Sequence, residues 1–309
     1  MCRDEAVCGG AASTGGQSTP PQVAARLELL EPADCQSTTI SGSRACGLAG
    51  GAGLVGRYGF VVFTVEDRDR LRAALVEAAR ADARITAAAV TGSGALDATD
   101  EWSDIDLAFG VATGVDPGEV RADWTDLMYR EHHAVDDLTL TFGATIFGVF
   151  LLADTLQVDL AFAPETEFGA VAPTFRLLFG TAVQRTPQTE PSADRLIGMG
   201  WLYALHARSS IARGRWWQAE YMISGLRDHV LALACVRHNV PATDGRGMDS
   251  LPPDVSAAVA GALVRSLGGP ELARAFGAAI AALVAEIKHV DPSRVDRLAT
   301  SLQALVVPG

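Results

Sequence analysis

The sequence predicts an α+β protein in which a mixed β-sheet flanked by helices is followed by an all-helical C-terminal domain. Between residues 58 and 186, short apolar runs typical of strands alternate with segments of helical spacing. From residue 193 onward, every apolar pattern has helical spacing. The polar stretch TPQTEPSA at 186–193, which contains two prolines, is typical of a boundary between two such domains.

Length and composition are those of a globular protein with room for two cores. The chain has 309 residues, of which 49% are hydrophobic and 20% charged. Its net charge of −12 argues against a dedicated nucleic-acid binder, since phosphate contacts need a basic surface. No apolar run reaches the roughly 18 residues of a membrane span, and the N-terminus lacks a signal-peptide pattern. We therefore expect a cytoplasmic protein with neither a nucleic-acid nor a membrane partner.

Residues 1–57 have the composition of a flexible chain. They are rich in Gly, Ser, Thr, Ala and Pro and show little apolar periodicity. Two interpretations stay open: a disordered N-terminal extension, or a segment that precedes the true start of the protein.

The first domain is predicted to span residues 58–186. Its first helix has Thr64 or Asp67 as a candidate N-cap. The patterns then predict, in order, a strand at 85–90, a helix-like segment at 94–102, a strand at 104–110, a helix at 117–134, strands at 144–153 and 156–164, and a short strand within 175–185.

The second domain is predicted to span residues 193–309 and to contain helices only. Apolar spacing places the helices at about 193–213, 215–238, 254–267, 270–289 and 291–305.

The stretch TGSGALDATDEWSDIDLAF, residues 91–109, carries two aspartates on a predicted strand. Asp104 and Asp106 are two positions apart, so their side chains point to the same side of that strand. Two adjacent negative charges repel one another unless a cation lies between them. The pair is therefore interpreted as half of a metal site, and Asp159, on a later apolar strand, would complete a set of three carboxylates.

The Gly-Ser step before these aspartates suits a phosphate group. Gly92 lets the backbone turn tightly and come close to a phosphate, and the Ser93 hydroxyl can donate a hydrogen bond to it. If a helix follows, its N-terminus would add a positive dipole end at the same place. Asp104 and Asp106 would then hold one or two Mg²⁺ ions that bridge a triphosphate.

Residues 91–109 resemble the signature of the DNA polymerase beta-like nucleotidyltransferase superfamily. The resemblance implies that Asp104, Asp106 and Asp159 bind metal and that Gly92 and Ser93 bind the nucleotide. Leu96 and Asp97 depart from the pattern, because they stand where a basic residue and a second glycine are common. A negative charge at Asp97 would oppose triphosphate binding unless it faces away.

In the second half, RGRWWQAEYMI (213–223) is the most distinctive stretch. It resembles the helical C-terminal domain of antibiotic nucleotidyltransferases, such as the kanamycin and lincosamide enzymes, which implies that Glu220 is a candidate general base. Its apolar neighbours would partly desolvate this carboxylate and so favour that role. The alternative is that Glu220 pairs with Arg227 and serves packing alone, and Asp159 could share the role of base.

Together with the two resemblances, these residues predict a Mg²⁺-dependent nucleotidyltransferase that uses ATP or another NTP as co-substrate. It would transfer an NMP, with AMP expected, to a hydroxyl of a small polar acceptor such as an aminoglycoside-like antibiotic. The predicted catalytic residues are Asp104, Asp106, Asp159 and Glu220. Two alternatives stay open: an antitoxin-like nucleotidyltransferase that modifies or binds a protein partner, and a non-catalytic nucleotide-binding homologue. The sequence leaves the oligomeric state open.

Overall fold

The computed structural model describes residues 62–186 and 190–306 of the chain. The two interpretations of residues 1–57 fall outside these described residues. The chain divides into two compact units between residues 188 and 189. The first is called the sheet unit below and the second the helical unit. The domain limits of 58–186 and 193–309 stay predictions.

The sheet unit contains two α-helices and six strands among its described residues. Its first helix, α1, begins after Thr64, whose hydroxyl accepts a hydrogen bond from the Asp67 amide at 3.1 Å and so caps the helix. In chain order the elements are α1 (Val65–Ala81), β1 (Ile85–Thr91), β2 (Ile105–Val111), α2 (Pro117–Glu131), β3 (Ala134–Phe142), β4 (Thr145–Leu152), β5 (Gln157–Pro164) and β6 (Phe175–Phe179).

The six strands form one mixed sheet in the order β3-β4-β5-β2-β1-β6. β2 and β5 run parallel at its centre, whereas all other neighbouring strands are antiparallel. In the parallel pair, Asp106 lies directly opposite Asp159. The predicted α+β class with a mixed sheet followed by helices is therefore confirmed.

The core of the sheet unit fixes which face of the central strands carries the aspartates. In β2, Ile105, Leu107 and Phe109 are almost completely buried, so the residues between them point to the other face. Phe109 packs against Trp124 of α2, with ring centroids 4.8 Å apart, and against Phe162 of β5 at 5.5 Å. A register slip of one residue would expose this aromatic cluster, so burial holds Asp106 on the opposite face.

The segment after the Gly-Ser step is not the helix that the sequence predicts. A short 3-10 turn covers Gly92–Leu96, and Asp97 then adopts a left-handed conformation with φ of 53°. The Asp100 carboxylate accepts a hydrogen bond from the Trp102 amide at 3.0 Å. Such side-chain to backbone bonds compete with helix formation, which explains the difference.

The sequence also fails to predict β3. The helix predicted at 117–134 ends at Glu131, and the chain continues as a nine-residue strand at one edge of the described sheet. Most β3 residues are exposed, and the strand contains the acidic pair Asp136 and Asp137. An edge strand lacks the buried apolar run that marks a central strand, so its signal is weak.

Within residues 190–306, the helical unit contains five α-helices around an apolar core. A bidentate ion pair between Arg237 and Glu286 lies beside this core, with one N–O distance of 2.5 Å and the other of 3.1 Å. None of the described helices is both long enough and apolar enough to cross a membrane. The helices are α3 (Ala193–Ala212), α4 (Trp216–His238), α5 (Pro253–Ala260), α6 (Gly269–Val290) and α7 (Pro292–Ala304).

Four of these helices follow the prediction closely, whereas α5 is seven residues shorter at its C-terminal end than the predicted 254–267. Arg274 explains the early end, because its guanidinium donates hydrogen bonds to the carbonyls of Gly261 and Leu263, at 2.7 and 2.8 Å. These bonds satisfy carbonyls that a continuing helix would otherwise use.

Candidate metal and nucleotide site

The carboxylates of Asp104, Asp106 and Asp159 converge at one point of the sheet unit. One oxygen from each residue lies within 4.8 Å of the oxygens of the other two. All three side chains are partly buried. The structure thus brings together the three residues that the sequence proposes as metal ligands.

Two features of the sheet produce this convergence. Asp106 and Asp159 occupy opposite positions on the parallel strands β2 and β5. Asp104 comes immediately before β2, two residues before Asp106, and so projects toward the same side. Because Val158, Leu160 and Phe162 of β5 are fully buried on the other face, Asp159 is held on the side of the sheet that carries Asp106.

The surroundings of Asp159 disfavour its charged form when no cation is bound. Burial, its largest cause, and the nearby negative charge of Asp104 together raise the pKa of Asp159 to about 6. A hydrogen bond from the Gln157 side chain, at 3.0 Å, lowers this pKa and only partly offsets the rise. A bound cation would reduce the electrostatic repulsion between these carboxylates.

The donor set fits a hard divalent cation. Mg²⁺ binds oxygen ligands at about 2.0–2.1 Å and commonly uses one or two carboxylates together with substrate phosphates. Two oxygens on opposite sides of such an ion are therefore about 4.2 Å apart. The carboxylate oxygens of this cluster lie within 4.8 Å of one another, so small movements would place them around one ion.

Gly92 lies against the carboxylate cluster and cannot be replaced without a clash. Its φ is +58°, a conformation that L side chains rarely adopt. A Cβ atom built on Gly92 would lie 2.0 Å from Oδ2 of Asp106. The backbone of the Gly-Ser turn thus lies against a metal-ligand candidate.

Ser93 follows in the 3-10 turn and is partly buried. The turn has only five residues, so it does not supply the α-helix N-terminus that the sequence predicts at this place. Any phosphate contact from this segment would therefore come from the Ser93 hydroxyl and local backbone amides, without a helix dipole.

Arg176 of β6, a residue to which the sequence assigns no individual role, contacts the same turn. Its Nη2 atom donates a hydrogen bond to the Gly94 carbonyl at 2.9 Å and lies 3.3 Å from a carboxylate oxygen of Asp97. Asp97 is 82% exposed. The negative charge that departs from the superfamily pattern is therefore partly balanced by an arginine from a neighbouring strand.

Glu220 lies on α4 in the helical unit. Its carboxylate accepts a hydrogen bond from the Ser224 hydroxyl at 2.6 Å. Within residues 190–306, Arg227 forms its ion pair with Asp228, at 2.7 Å, and approaches Glu220 only through Ser224, to whose oxygen it donates at 3.3 Å. The direct Glu220–Arg227 pair considered from the sequence is therefore wrong, and the assignment of Glu220 as a base stays a prediction.

Comparison with known proteins gives fold-level likenesses only. No protein-family model and no curated protein matches the chain. An aminoglycoside 6-adenyltransferase from Bacillus subtilis is 12% identical, with 76% of this chain and 96% of that chain covered and a TM-score of 0.35. A nucleotidyltransferase-like protein from Exiguobacterium sibiricum is 14% identical, with 77% and 89% covered and a TM-score of 0.31.

Both TM-scores lie below 0.5, so the functional assignment depends on the side chains of this chain and not on the two likenesses.

Proposed function

We propose that this protein is a Mg²⁺-dependent nucleotidyltransferase that moves AMP from ATP to a hydroxyl of a small polar acceptor. One observation carries the proposal. Three carboxylates meet within 4.8 Å beside a Gly-Ser turn whose glycine packs against one of them. This arrangement combines a metal site with a place where a phosphate can approach the backbone closely.

Asp104, Asp106 and Asp159 would hold the metal. When bound there, Mg²⁺ would neutralise triphosphate charge and make the α-phosphorus more electrophilic. By holding the metal, the three carboxylates would position the nucleotide next to the acceptor hydroxyl. Such positioning lowers the entropic part of the activation barrier.

The Gly92–Ser93 turn would bind the phosphates. The Ser93 hydroxyl can donate to a phosphate oxygen, and the missing side chain of Gly92 leaves room for the Asp106 carboxylate. Arg176 would fix the turn through Gly94 and reduce the repulsion between Asp97 and a triphosphate.

Two residues are proposed as the base that removes the proton from the acceptor hydroxyl. Asp159 is the first candidate, because its carboxylate lies in the same cluster as those of Asp104 and Asp106. Glu220 is the second candidate, and its role rests on the resemblance of the helical segment. Gln157, which donates to Asp159, would keep that carboxylate oriented.

The acceptor is proposed to be a small cationic molecule of the aminoglycoside type, which would make the protein an antibiotic-resistance enzyme. Its support is electrostatic, because a protein with a net charge of −12 attracts cations. The cytoplasmic location and the absence of nucleic-acid partners also belong to this proposal.

The test is to incubate the protein with ATP or GTP and Mg²⁺ against a panel of aminoglycosides and lincosamides. Products would be weighed by mass spectrometry, and Asp104→Asn would be run in parallel. We expect a product heavier by one nucleoside monophosphate that the variant fails to form. If no acceptor gains mass although nucleotide binding is intact, the proposal of a small acceptor is wrong, and protein acceptors or a sensor role would follow.

A further inference from the structure

Arg68 of α1 is a buried cation that contacts the chain just before the carboxylate cluster. Its side chain is only 1% exposed. Its Nη1 atom donates hydrogen bonds to the carbonyl of Asp100 and, at 3.3 Å, to that of Ser103. Its Nε atom donates to Asp69 at 3.2 Å. Burying an arginine is costly unless its donors find acceptors, and here two backbone carbonyls and the Asp69 carboxylate accept from Nη1 and Nε.

The segment that Arg68 holds is a closed turn. The Asp100 amide donates to the Ser103 hydroxyl at 2.9 Å, and that hydroxyl in turn donates to the Asp100 carboxylate at 2.9 Å. The Trp102 amide donates to the same carboxylate at 3.0 Å. These bonds make residues 100–103 a unit with little internal freedom, so its position depends on what anchors it.

The anchor acts directly on the first metal-ligand candidate. The Ser103 carbonyl belongs to the peptide unit that joins Ser103 to Asp104, so a bond from Arg68 to this oxygen fixes the backbone of Asp104. Asp104 precedes β2, so the ladder hydrogen bonds of that strand do not hold it as they hold Asp106. The helix α1 is itself fixed by Leu75 and Ala79, which are fully buried.

We propose that Arg68 is a positioning residue that sets the place of the Asp104 carboxylate through the turn at residues 100–103. This inference rests on the proposed metal site. Residues that orient metal ligands typically contribute a factor of 10–100 to metal affinity. We therefore expect Arg68 to govern metal affinity although it touches neither metal nor substrate.

The experiment measures Mn²⁺ affinity by electron paramagnetic resonance, at a temperature well below the unfolding transition. Arg68→Met keeps the apolar stem and removes every donor, and we expect it to weaken Mn²⁺ binding about tenfold or more. Arg68→Lys restores a cation and should recover part of the loss. Arg70→Met is the matched control, because Arg70 lies on the same helix with its side chain 73% exposed and should leave the affinity unchanged.

A double-mutant cycle separates positioning from general loosening. If Arg68 acts through Asp104, Arg68→Met will weaken Mn²⁺ binding much less in an Asp104→Asn background than in the native chain. An equal loss in both backgrounds would overturn the inference. A folded Arg68→Met variant with native Mn²⁺ affinity would also overturn it.

Three further outcomes bear on the inference. If Arg68→Met does not fold, Ser103→Ala opens the same turn without disturbing the buried cation, and native Mn²⁺ affinity in that variant would overturn the role of the turn. If the native chain binds no Mn²⁺, both the metal site and this inference fail. If Mn²⁺ binding responds to Arg68 as expected but no nucleotide is transferred, only the proposed function fails.

Discussion

The backbone of Gly92 lies directly against the carboxylate of Asp106, so close that a Cβ atom on Gly92 would come within 2.0 Å of Oδ2. The Gly-Ser turn and the aspartate pair are thus one structural unit, although thirteen residues separate Gly92 from Asp106 in the sequence. Any side chain at Gly92 must displace the carboxylate or the turn.

Gly92→Ala should therefore disable the site while the fold persists. Gly143 offers a matched control, because its φ of +62° resembles the +58° of Gly92 but a Cβ there would meet nothing within 4 Å. A left-handed alanine costs about 1–2 kcal/mol in both variants. In Gly92→Ala, displacement of the Asp106 carboxylate adds to this loss. We expect only Gly92→Ala to lose Mn²⁺ affinity and nucleotide transfer. Equal activity in the two variants would contradict the close approach.

Asp159→Asn should make the metal-free protein more stable at neutral pH. Because the folded state raises the pKa of Asp159 from 3.8 to about 6, the stability that this carboxyl contributes is fully present below pH 4 and is lost as the pH rises through 6. Asparagine stays neutral and can still accept the hydrogen bond from Gln157. In EDTA at pH 7, we expect the variant to gain about 1–3 kcal/mol in urea denaturation, and the gain should disappear near pH 4.

The same variant should lose its response to magnesium. Adding Mg²⁺ should raise the melting temperature of the native chain, because the cation binds the folded state. Asp159→Asn should show a much smaller rise. An undiminished rise in the variant would remove Asp159 from the ligand set.

Arg176 and Asp97 should contribute unequally to nucleotide binding. Arg176→Met removes the hydrogen bond to the Gly94 carbonyl and leaves Asp97 unbalanced, so we expect the KM for ATP to rise about tenfold, which corresponds to about 1.4 kcal/mol. Asp97→Asn removes only an exposed ion-pair partner and should change that KM less than about threefold. Steady-state kinetics with each variant would check this order, and the reverse order would contradict it.

Asp82 provides a stability test that should leave the site intact. Hydrogen bonds from Arg84, the largest cause, and from the Trp124 indole lower the pKa of Asp82 to about 2. Its stabilising effect is therefore present above pH 4 and is lost as the pH falls toward 2. Asp82→Asn should lower the free energy of unfolding by about 1–2 kcal/mol at pH 7, with a smaller difference near pH 2.

Asp82 precedes β1, whereas the Gly-Ser turn follows that strand, so Mn²⁺ affinity should not change in Asp82→Asn. A parallel loss of Mn²⁺ affinity would show that the site is coupled to the opposite end of the strand.

The carboxylate cluster could be predicted because strand periodicity is a local property. Apolar residues at alternate positions of β2 and β5 assign Asp106 and Asp159 to the opposite face, and the sequence shows both patterns. The same reasoning could have identified Gln157, which lies two residues before Asp159 and therefore on the same side of β5.

The two arginines that hold the segment between Gly92 and Asp104 could not be predicted in the same way, because their hydrogen bonds join distant parts of the chain. Arg68 shares a helix face with Leu75 and Ala79, so its burial has a signal in the helical spacing, but its carbonyl partners lie more than thirty residues away. Arg176 reaches Gly94 from a strand eighty-two residues later. The predicted helix after Gly92 failed because local aspartate hydrogen bonds, not apolar spacing, determine that segment.

The most direct measurement of the central claim follows the two ends of the ATP triphosphate separately. The protein would be incubated with Mg²⁺, pooled aminoglycosides and ATP labelled with ³²P at either the α- or the γ-phosphorus, with Asp104→Asn in parallel. We predict that the α-label enters the acceptor and the γ-label leaves as pyrophosphate, and that Asp104→Asn does neither. Transfer of the γ-label to the acceptor, or equal transfer by Asp104→Asn, would contradict nucleotidyl transfer at this carboxylate cluster.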